Sequence, residues 1–329
     1  MDLDAPVPFK ANAKCRHHIP KQKRRLTNWP EYEEGLRRRG DLTVWFTEAA
    51  IAAWHAEPRT TRGGQPWYSP LAILTALTLR TMFRLALRQT EGLIGSIIRM
   101  LGVNLPTPDH TTLSRRAEGL DVPALEPRAR AGGLHLIVDS TGLKFHGPGE
   151  WLVEKHGTKT RRSWRKLHIG LDADTGQIVA SELTRNDIDD SSRVAPLLQQ
   201  ITGPVASLTG DGAYDTNDVY ATVAVRHPNA TVVVPPRSTA VESATAETNP
   251  TQRDGHLRDI AERGRIGWQK ASGYNKRSRV ETTIGRFKQV IGDGLRSQTD
   301  ARQETETAVS VYVLNRMLTL GRPDSVRIA

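Results

Sequence analysis

LHLIVDSTG (134–142) and KLHIGLDADTGQIVASELT (166–184) decide the fold. The first is a short, nearly continuous apolar run, as a strand buried on both faces requires. The second reads as strand, turn and strand, with Asp174-Thr175-Gly176 as the reversal. Downstream, 190–202 suits a helix capped by Asp190 or Ser191. PVASLTGD (204–211) is a strand, 216–226 a helix, and ATVVVPP (230–236) a fifth strand ended by two prolines. Residues 237–268 are poor in large apolar groups and read as an insertion or a mobile loop. A helix resumes near 275, and another spans 302–319. Three antiparallel strands, helix, strand, helix, strand and then helices predict an α/β layered domain with a mixed sheet.

Two carboxylates sit where predicted strands end. Asp139 closes LHLIV and Asp211 closes VASLTG. Strand ends are where polar groups leave an α/β core and face a crevice. Asp215 rivals Asp211 for the second position, although capping the helix from Thr216 is its better use. A third carboxylate lies in GYNKRSRVETTIGRFKQVIG (273–292). Val280, Ile284, Phe287 and Ile291 give that helix one apolar face. Relative to Glu281, Arg277 falls at about −40°, Lys288 at about −20° and Tyr274 at about +20° on a helical wheel. They form one stripe beside the buried face. An ordinary exposed Arg277–Glu281 pair is the plainer alternative. Three carboxylates suit a hard cation, Mg²⁺ with Mn²⁺ as substitute. Cys15 is the only cysteine, which excludes an internal disulfide or a zinc site of two thiolates.

The surroundings are basic. The chain of 329 residues carries 46 Lys and Arg against 36 Asp and Glu, a balance that favours a polyanionic partner. KHGTKTRRSWRKLH (155–168) has six basic residues and no acid, and reads as a loop near Asp139. Arg162, Trp164, Arg165 and Lys166 are its candidate DNA contacts, the indole for stacking. Residues 1–40 carry ten basic residues against five acidic ones and read as a basic arm or a solvated tail. Residues 41–130 read as helical. Ser69-Pro70 starts one helix, a second opens near Thr90 and stops at Gly102, and Asp109 caps a third bearing Arg115 and Arg116. This suits a helix-turn-helix module placing hydroxyls and guanidinia on DNA, or a plain three-helix bundle. No apolar run approaches the length of a membrane span, and MDLDAPVPFK lacks the apolar core of a secretory signal. A prokaryotic cytoplasmic, nucleoid-associated protein without membrane contact is the expectation.

YNKRSRVETTIGRFK fits Y-x₂-R-x₃-E-x₆-K at Tyr274, Arg277, Glu281 and Lys288, and so resembles the signature of insertion-sequence DDE transposases. VDSTG around Asp139 and GDGAYD around Asp211 resemble that family's first two catalytic segments. NWPEYEEGLRRRGDLTVW (28–45) and PDHTTLSRR (108–116) resemble the insertion sequence 5 family, near its 903 branch. The resemblance implies a ribonuclease-H-like catalytic core over 131–325 after an N-terminal DNA-binding region. It implies Asp139, Asp211 and Glu281 as a catalytic, metal-binding triad, and Tyr274, Arg277 and Lys288 as contacts to transposon-end DNA. It further implies a transposase that cleaves double-stranded DNA at terminal inverted repeats and joins the 3′-hydroxyls to target DNA, as a homodimer or higher. The rivals are a host-adopted DNA-binding regulator and a metal-dependent nuclease without the joining step. Trp268 either wedges into a DNA end or closes the core.

Overall fold

The computed structural model describes residues 23–60, 62–123, 133–145 and 164–328. They fall into two compact units, 23–40 with 320–328, and 41–319.

In the first unit, β1 (Arg24–Leu26) pairs antiparallel with β8 (Ser325–Arg327). Helix α1 (Trp29–Arg38) starts at Pro30, where no amide donor is needed. A Cβ on Gly35 would lie 2.7 Å from the carbonyl of Leu320, so only glycine permits this close passage. The arm expected over 1–40 is thereby corrected for its described part. Residues 23–40 form a strand and a helix, because β1 finds a partner almost 300 positions away that local pattern does not reveal. Residues 1–22 lie outside the described residues.

The second unit opens with α2 (Leu42–Trp45), α3 (Glu48–Ala52), α4 (Pro70–Met82), α5 (Leu87–Met100) and α6 (His110–Arg116). The expected caps are present. Ser69 Oγ accepts from Ala72 N, and Asp109 accepts from Thr111 N and Thr112 N. Gly102 takes φ +66° just past α5. Trp54, Leu79, Ile94 and Leu113 are fully buried among these helices. Arg84, at φ 53° between α4 and α5, donates to the carbonyls of Gln289 and Val290. Those carbonyls end the helix that carries Glu281, so a cation is well placed there. No single helix among the described residues is long and apolar enough to cross a membrane.

The sheet has the strand order β4-β3-β2-β5-β6, with β2 (Leu134–Phe145), β3 (Trp164–Asp172), β4 (Ile178–Arg185), β5 (Val205–Thr209) and β6 (Thr231–Val233). The β2–β3 and β3–β4 pairs are antiparallel, and β2–β5 and β5–β6 parallel. A sixth strand, β7 (Gly294–Leu295), pairs with the far end of β2 and is too short to be read from sequence. This is the expected mixed α/β sheet, in the strand order of a ribonuclease-H-like core. Leu136 and Val138 pack with α7 (Val194–Gln199) and α8 (Asn217–Arg226) on one face. Strand alternation therefore turns Asp139 to the opposite face. Asp139 is mid-strand and not at the end of β2, which corrects the expectation. The strand continues because its antiparallel pairing with β3 runs on to Lys144, whereas its pairing with β5 stops at Ile137.

Both sheet edges are closed by side chains. The Asn315 amide accepts from Ile178 N (2.9 Å) and donates to Ile178 O (2.7 Å) on β4. Gln252 Oε1 accepts from Val232 N (2.8 Å) on β6, and His256 Nε2 lies 2.7 Å from Val232 O. Such side-chain pairing occupies edge peptide groups that a foreign strand could otherwise use.

Two further expectations are corrected. The segment 237–268 is not a loop throughout, since Gln252–Ala271 forms α9, broken at Gly264 (φ 70°, ψ 165°). It escapes a search for apolar periodicity because it buries only Asp254 and Trp268. Polar groups fasten it instead: Asp254 accepts from the amides and hydroxyls of Ser243 and Thr251. The helix expected over 190–202 is a single 3₁₀ turn (Ser191–Arg193) followed by α7.

His168 on β3 is fully buried, bonds Thr184 Oγ1 at 2.8 Å, and has burial push its pKa down to about 4. Asp190 and Asp189 oppose that shift, and Lys166 and Arg193 reinforce it. A depressed histidine stabilises the fold fully above its unfolded value near 6.5 and loses that contribution as pH falls toward the folded value. Denaturant titrations should therefore show stability falling by roughly 3 kcal/mol between pH 6.5 and 4 from this group alone. His168→Gln should flatten the profile in that window; an unchanged slope would remove His168 as the cause.

Candidate active site

Local structure first delivers each carboxylate. Asp139 Oδ1 accepts from Ser140 N at 2.9 Å, which orients the side chain on β2. Asp211 follows β5 and caps a 3₁₀ turn (Gly212–Tyr214) by accepting from Ala213 N at 2.8 Å. Glu281 lies in the first turn of α10 (Ser278–Val290), where the helix dipole favours an acid. Val280, Thr283 and Phe287 form the buried face of α10, with Ile284 and Ile291 half-buried.

Arg277, at the N-cap of α10, brings the three together. Its Nη2 lies 2.9 Å from Asp139 Oδ2 and 3.6 Å from Asp211 Oδ2, and its Nη1 lies 2.6 Å from Glu281 Oε1. The Arg277 side chain is 17% exposed and that of Asp139 14%, against 62% for Glu281. Burial pushes the Asp139 carboxyl above its ordinary value, and Arg277 pulls it back only in part. Burial works against the guanidinium's charge, but the surrounding carboxylates outweigh it and raise its pKa. The site is thus a ring of anions around one desolvated cation. Among the described residues no three His, Cys, Asp or Glu side chains stand close enough to hold one metal ion. A planar guanidinium reaching all three keeps the carboxylates apart. The donor set itself fits a divalent ion in kind, being all oxygen, anionic and gathered about a cation.

Asp215 does not join the Arg277 centre, and it is not the helix cap either. Thr216 caps α8, while Asp215 is buried against Arg253 at 2.7 and 2.9 Å and accepts from Arg237 N. Its pKa is depressed because these bonds outweigh its burial. Sequence reasoning missed this pair, which anchors the segment after Asp211 to α9. It also missed Tyr214, whose ring lies so near Gly210 that a Cβ there would sit 2.8 Å from Cδ2. The signal is present in GDGAYD: the first glycine admits the tyrosine, and both flank Asp211.

Tyr274 precedes α10 in a 3₁₀ turn (Tyr274–Arg277), and its ring lies 5.4 Å from that of Trp268. Trp268 is fully buried and donates to His256 Nδ1, so it closes the core. Lys288 is exposed on α10, two turns beyond Glu281. Of the basic segment, Arg162 lies outside the described residues. Trp164, Arg165 and Lys166 belong to β3 itself and not to the loop expected there, because they extend the ribbon with β2. The Trp164 indole lies over Gly142, Arg165 pairs with Asp300 and Gln303, and Lys166 Nζ reaches Asp190 and Ile188 O. On α6, Arg115 is exposed and Arg116 donates to Tyr68 O at 3.0 Å. The hydroxyls of Thr111 and Thr112 are spent on Asp109.

A ribonuclease-H-like sheet with one carboxylate on its central strand, one just past the neighbouring strand and one on a helix is an arrangement suited to phosphoryl transfer on nucleic acid. Two family models, both described as a transposase DDE domain, match the chain, one over residues 130–316 and the other over 37–148. The chain belongs to the DDE transposase family, enzymes that cleave DNA and transfer its strands with divalent metal. Among solved structures it is similar to a piggyBac transposase in a synaptic complex with hairpin DNA. The identity is 12%, with 90% of this chain and 77% of that chain covered and a TM-score of 0.42.

Proposed function

We propose that the protein is the transposase of an insertion sequence of the insertion sequence 5 type, near its 903 branch. It binds the terminal inverted repeats of its own element, cleaves them and joins the freed ends to target DNA. The supporting observation is the meeting of Asp139, Asp211 and Glu281 at one cationic centre. Mg²⁺ is the proposed ion, with Mn²⁺ as substitute, and the three carboxylates are the residues to hold it. Such ions supply an activated nucleophile and charge stabilisation at the leaving oxygen. The protein's own groups do the rest. Arg277 and Lys288 neutralise phosphates beside the scissile one, and Tyr274 lines the approach.

In the first step water attacks phosphorus, the bond to the 3′ oxygen breaks, and that oxygen takes up a proton. In the second, the 3′-hydroxyl attacks a target phosphodiester and displaces that strand's 3′ oxygen. In this second step one phosphodiester forms for the one broken, so joining consumes no ATP. Two ends act together, so a homodimer or higher on DNA is proposed, in a prokaryotic cytoplasm on the nucleoid. The test is incubation of the full chain with duplexes bearing the sequences that flank its gene, and Mg²⁺. Release of 3′-hydroxyl ends and their insertion into a target plasmid support the reading; binding without either favours the regulator.

The phosphate role of Lys288 has its own check. On duplex DNA, each phosphate that a protein no longer neutralises lowers the slope of log K against log salt by about 0.9. Lys288→Ala should flatten the plot by that amount and weaken matched and mismatched ends alike. A relaxed preference at one base pair with an unchanged slope would mean that Lys288 reads a base.

A further inference from the structure

The described residues between α3 and α4, 53–60 and 62–69, form a loop tied by hydrogen bonds. Its base is an antiparallel bridge between His55 and Tyr68, closed by Ala56 N donating to Trp67 O at 3.2 Å and Ser69 N to Trp54 O at 3.0 Å. Further out, the Gln65 side chain clasps the backbone of Arg59, accepting from its N at 2.7 Å and donating to its O at 2.8 Å. Hydrogen bonds thus hold the loop where a loop of this size is ordinarily held by buried side chains. At the tip, a Cβ added to Gly63 (φ 124°) or Gly64 would meet nothing within 4 Å. Arg59 and Arg62 are exposed, with Glu57 the one acid between His55 and Tyr68.

Trp67 is 64% exposed, with only the edge of His55 against it at 6.2 Å. Leaving so large an apolar ring in water forgoes one of the largest burial gains available to a side chain. The loop is also fastened to α6. Arg116 donates to Tyr68 O at 3.0 Å, and the Tyr68 hydroxyl donates to Thr107 O at 2.8 Å, just ahead of that helix. Arg115 is exposed on the same helix. A glycine tip with arginines, an exposed indole and a basic helix are thereby joined through hydrogen bonds at Tyr68.

We propose that this loop is a second DNA-reading element that enters the minor groove, with Arg62 in the groove and Trp67 packed on the sugars and bases at its wall. The inference rests on the transposase reading above and adds to it a site and a groove. The minor groove is only about 6 Å wide, too narrow for a helix. It admits a tip that carries backbone alone at two successive positions and one long cation beside them. Its negative potential, deepest over A·T pairs, favours an inserted arginine. The major groove is left to α6.

The test uses the full chain with three duplexes of equal length, all A·T, all I·C and all G·C. In the minor groove I·C presents the same groups as A·T, and in the major groove the same groups as G·C. The expected order of affinity is A·T equal to I·C, with G·C weaker. Arg62→Ala and Trp67→Ala should each lower affinity for A·T and I·C by about tenfold, the size of one aromatic stacking contact, and erase the preference. Arg62 is exposed and Trp67 meets only the edge of His55, so the variants should melt close to the wild type. I·C grouping with G·C would overturn the minor-groove assignment. Variants that bind as the wild type does, or that change only the elution volume on gel filtration, would overturn the loop as a DNA element while leaving the transposase reading intact. Failure of the wild type to bind any of the three would overturn the loop as a minor-groove element, while the transposase reading stands or falls separately on binding and cleavage of the element's own ends.

Discussion

Asp139→Asn, Asp211→Asn and Glu281→Gln should each abolish end cleavage and strand joining while binding of end DNA survives. Even an outer partner of a metal ligand costs about 10–100-fold when removed, so removal of a ligand should exceed the upper figure. Affinity for DNA should hold or rise slightly, because each change removes a negative charge beside the phosphates. The amides keep size and shape, so loss of activity by unfolding is separable by a thermal melt. The measurement is a cleavage assay beside a gel shift for all three variants. Turnover by Asp211→Asn within tenfold of wild type would remove it from the triad, with no reserve in Asp215, whose carboxylate is committed to Arg253.

Arg277→Met should be the most destabilising single change near the site. The guanidinium is the shared counter-charge of Asp139, Asp211 and Glu281. Removing one partner of a buried ion pair costs about 3–5 kcal/mol, because the other charge stays desolvated. Asp139 dominates this cost, and Glu281 contributes little because water already screens it. The expected loss is therefore about 3 kcal/mol, at the lower end of that range. Arg277→Lys should recover part of it, since an ammonium restores charge but cannot span three acceptors. Mn²⁺ should raise the melting temperature of Arg277→Met more than that of the wild type, because in the variant it meets carboxylates with no competing cation. A variant that melts with the wild type would show that the guanidinium does not hold these acids together.

How much was legible differs by element, for physical reasons. Strands β2 to β6 were legible because burial on both faces demands continuous apolar runs, helices α4 and α6 because their caps are local side-chain chemistry, and α5 because a glycine stops it. Helix α9 was not, since it is fixed by hydrogen bonds and ion pairs and leaves no apolar stripe. The strands β1, β7 and β8 are two or three residues long and exist only through distant partners.

The same division runs through the site. The types and spacing of Asp139, Asp211, Arg277 and Glu281 were readable from the chain, because hard-cation chemistry needs carboxylates and a helix repeat puts Arg277 beside Glu281. What they do to one another was not. The i, i+4 pair, whose plainer alternative was an ordinary exposed contact, is a hub, because the fold carries Asp139 and Asp211 to the same guanidinium from 138 and 66 positions away along the chain. Burial then makes Arg277–Asp139 the strong contact, while Glu281 stays screened by water. The same holds for Trp268, which any helical wheel leaves open and only packing against His256 and Tyr274 assigns to the core. Side-chain chemistry and short-range periodicity are written along the chain. Burial, counter-charge and the choice between Asp211 and Asp215 arise only when distant segments meet, because desolvation belongs to the surroundings of a group and not to the group itself.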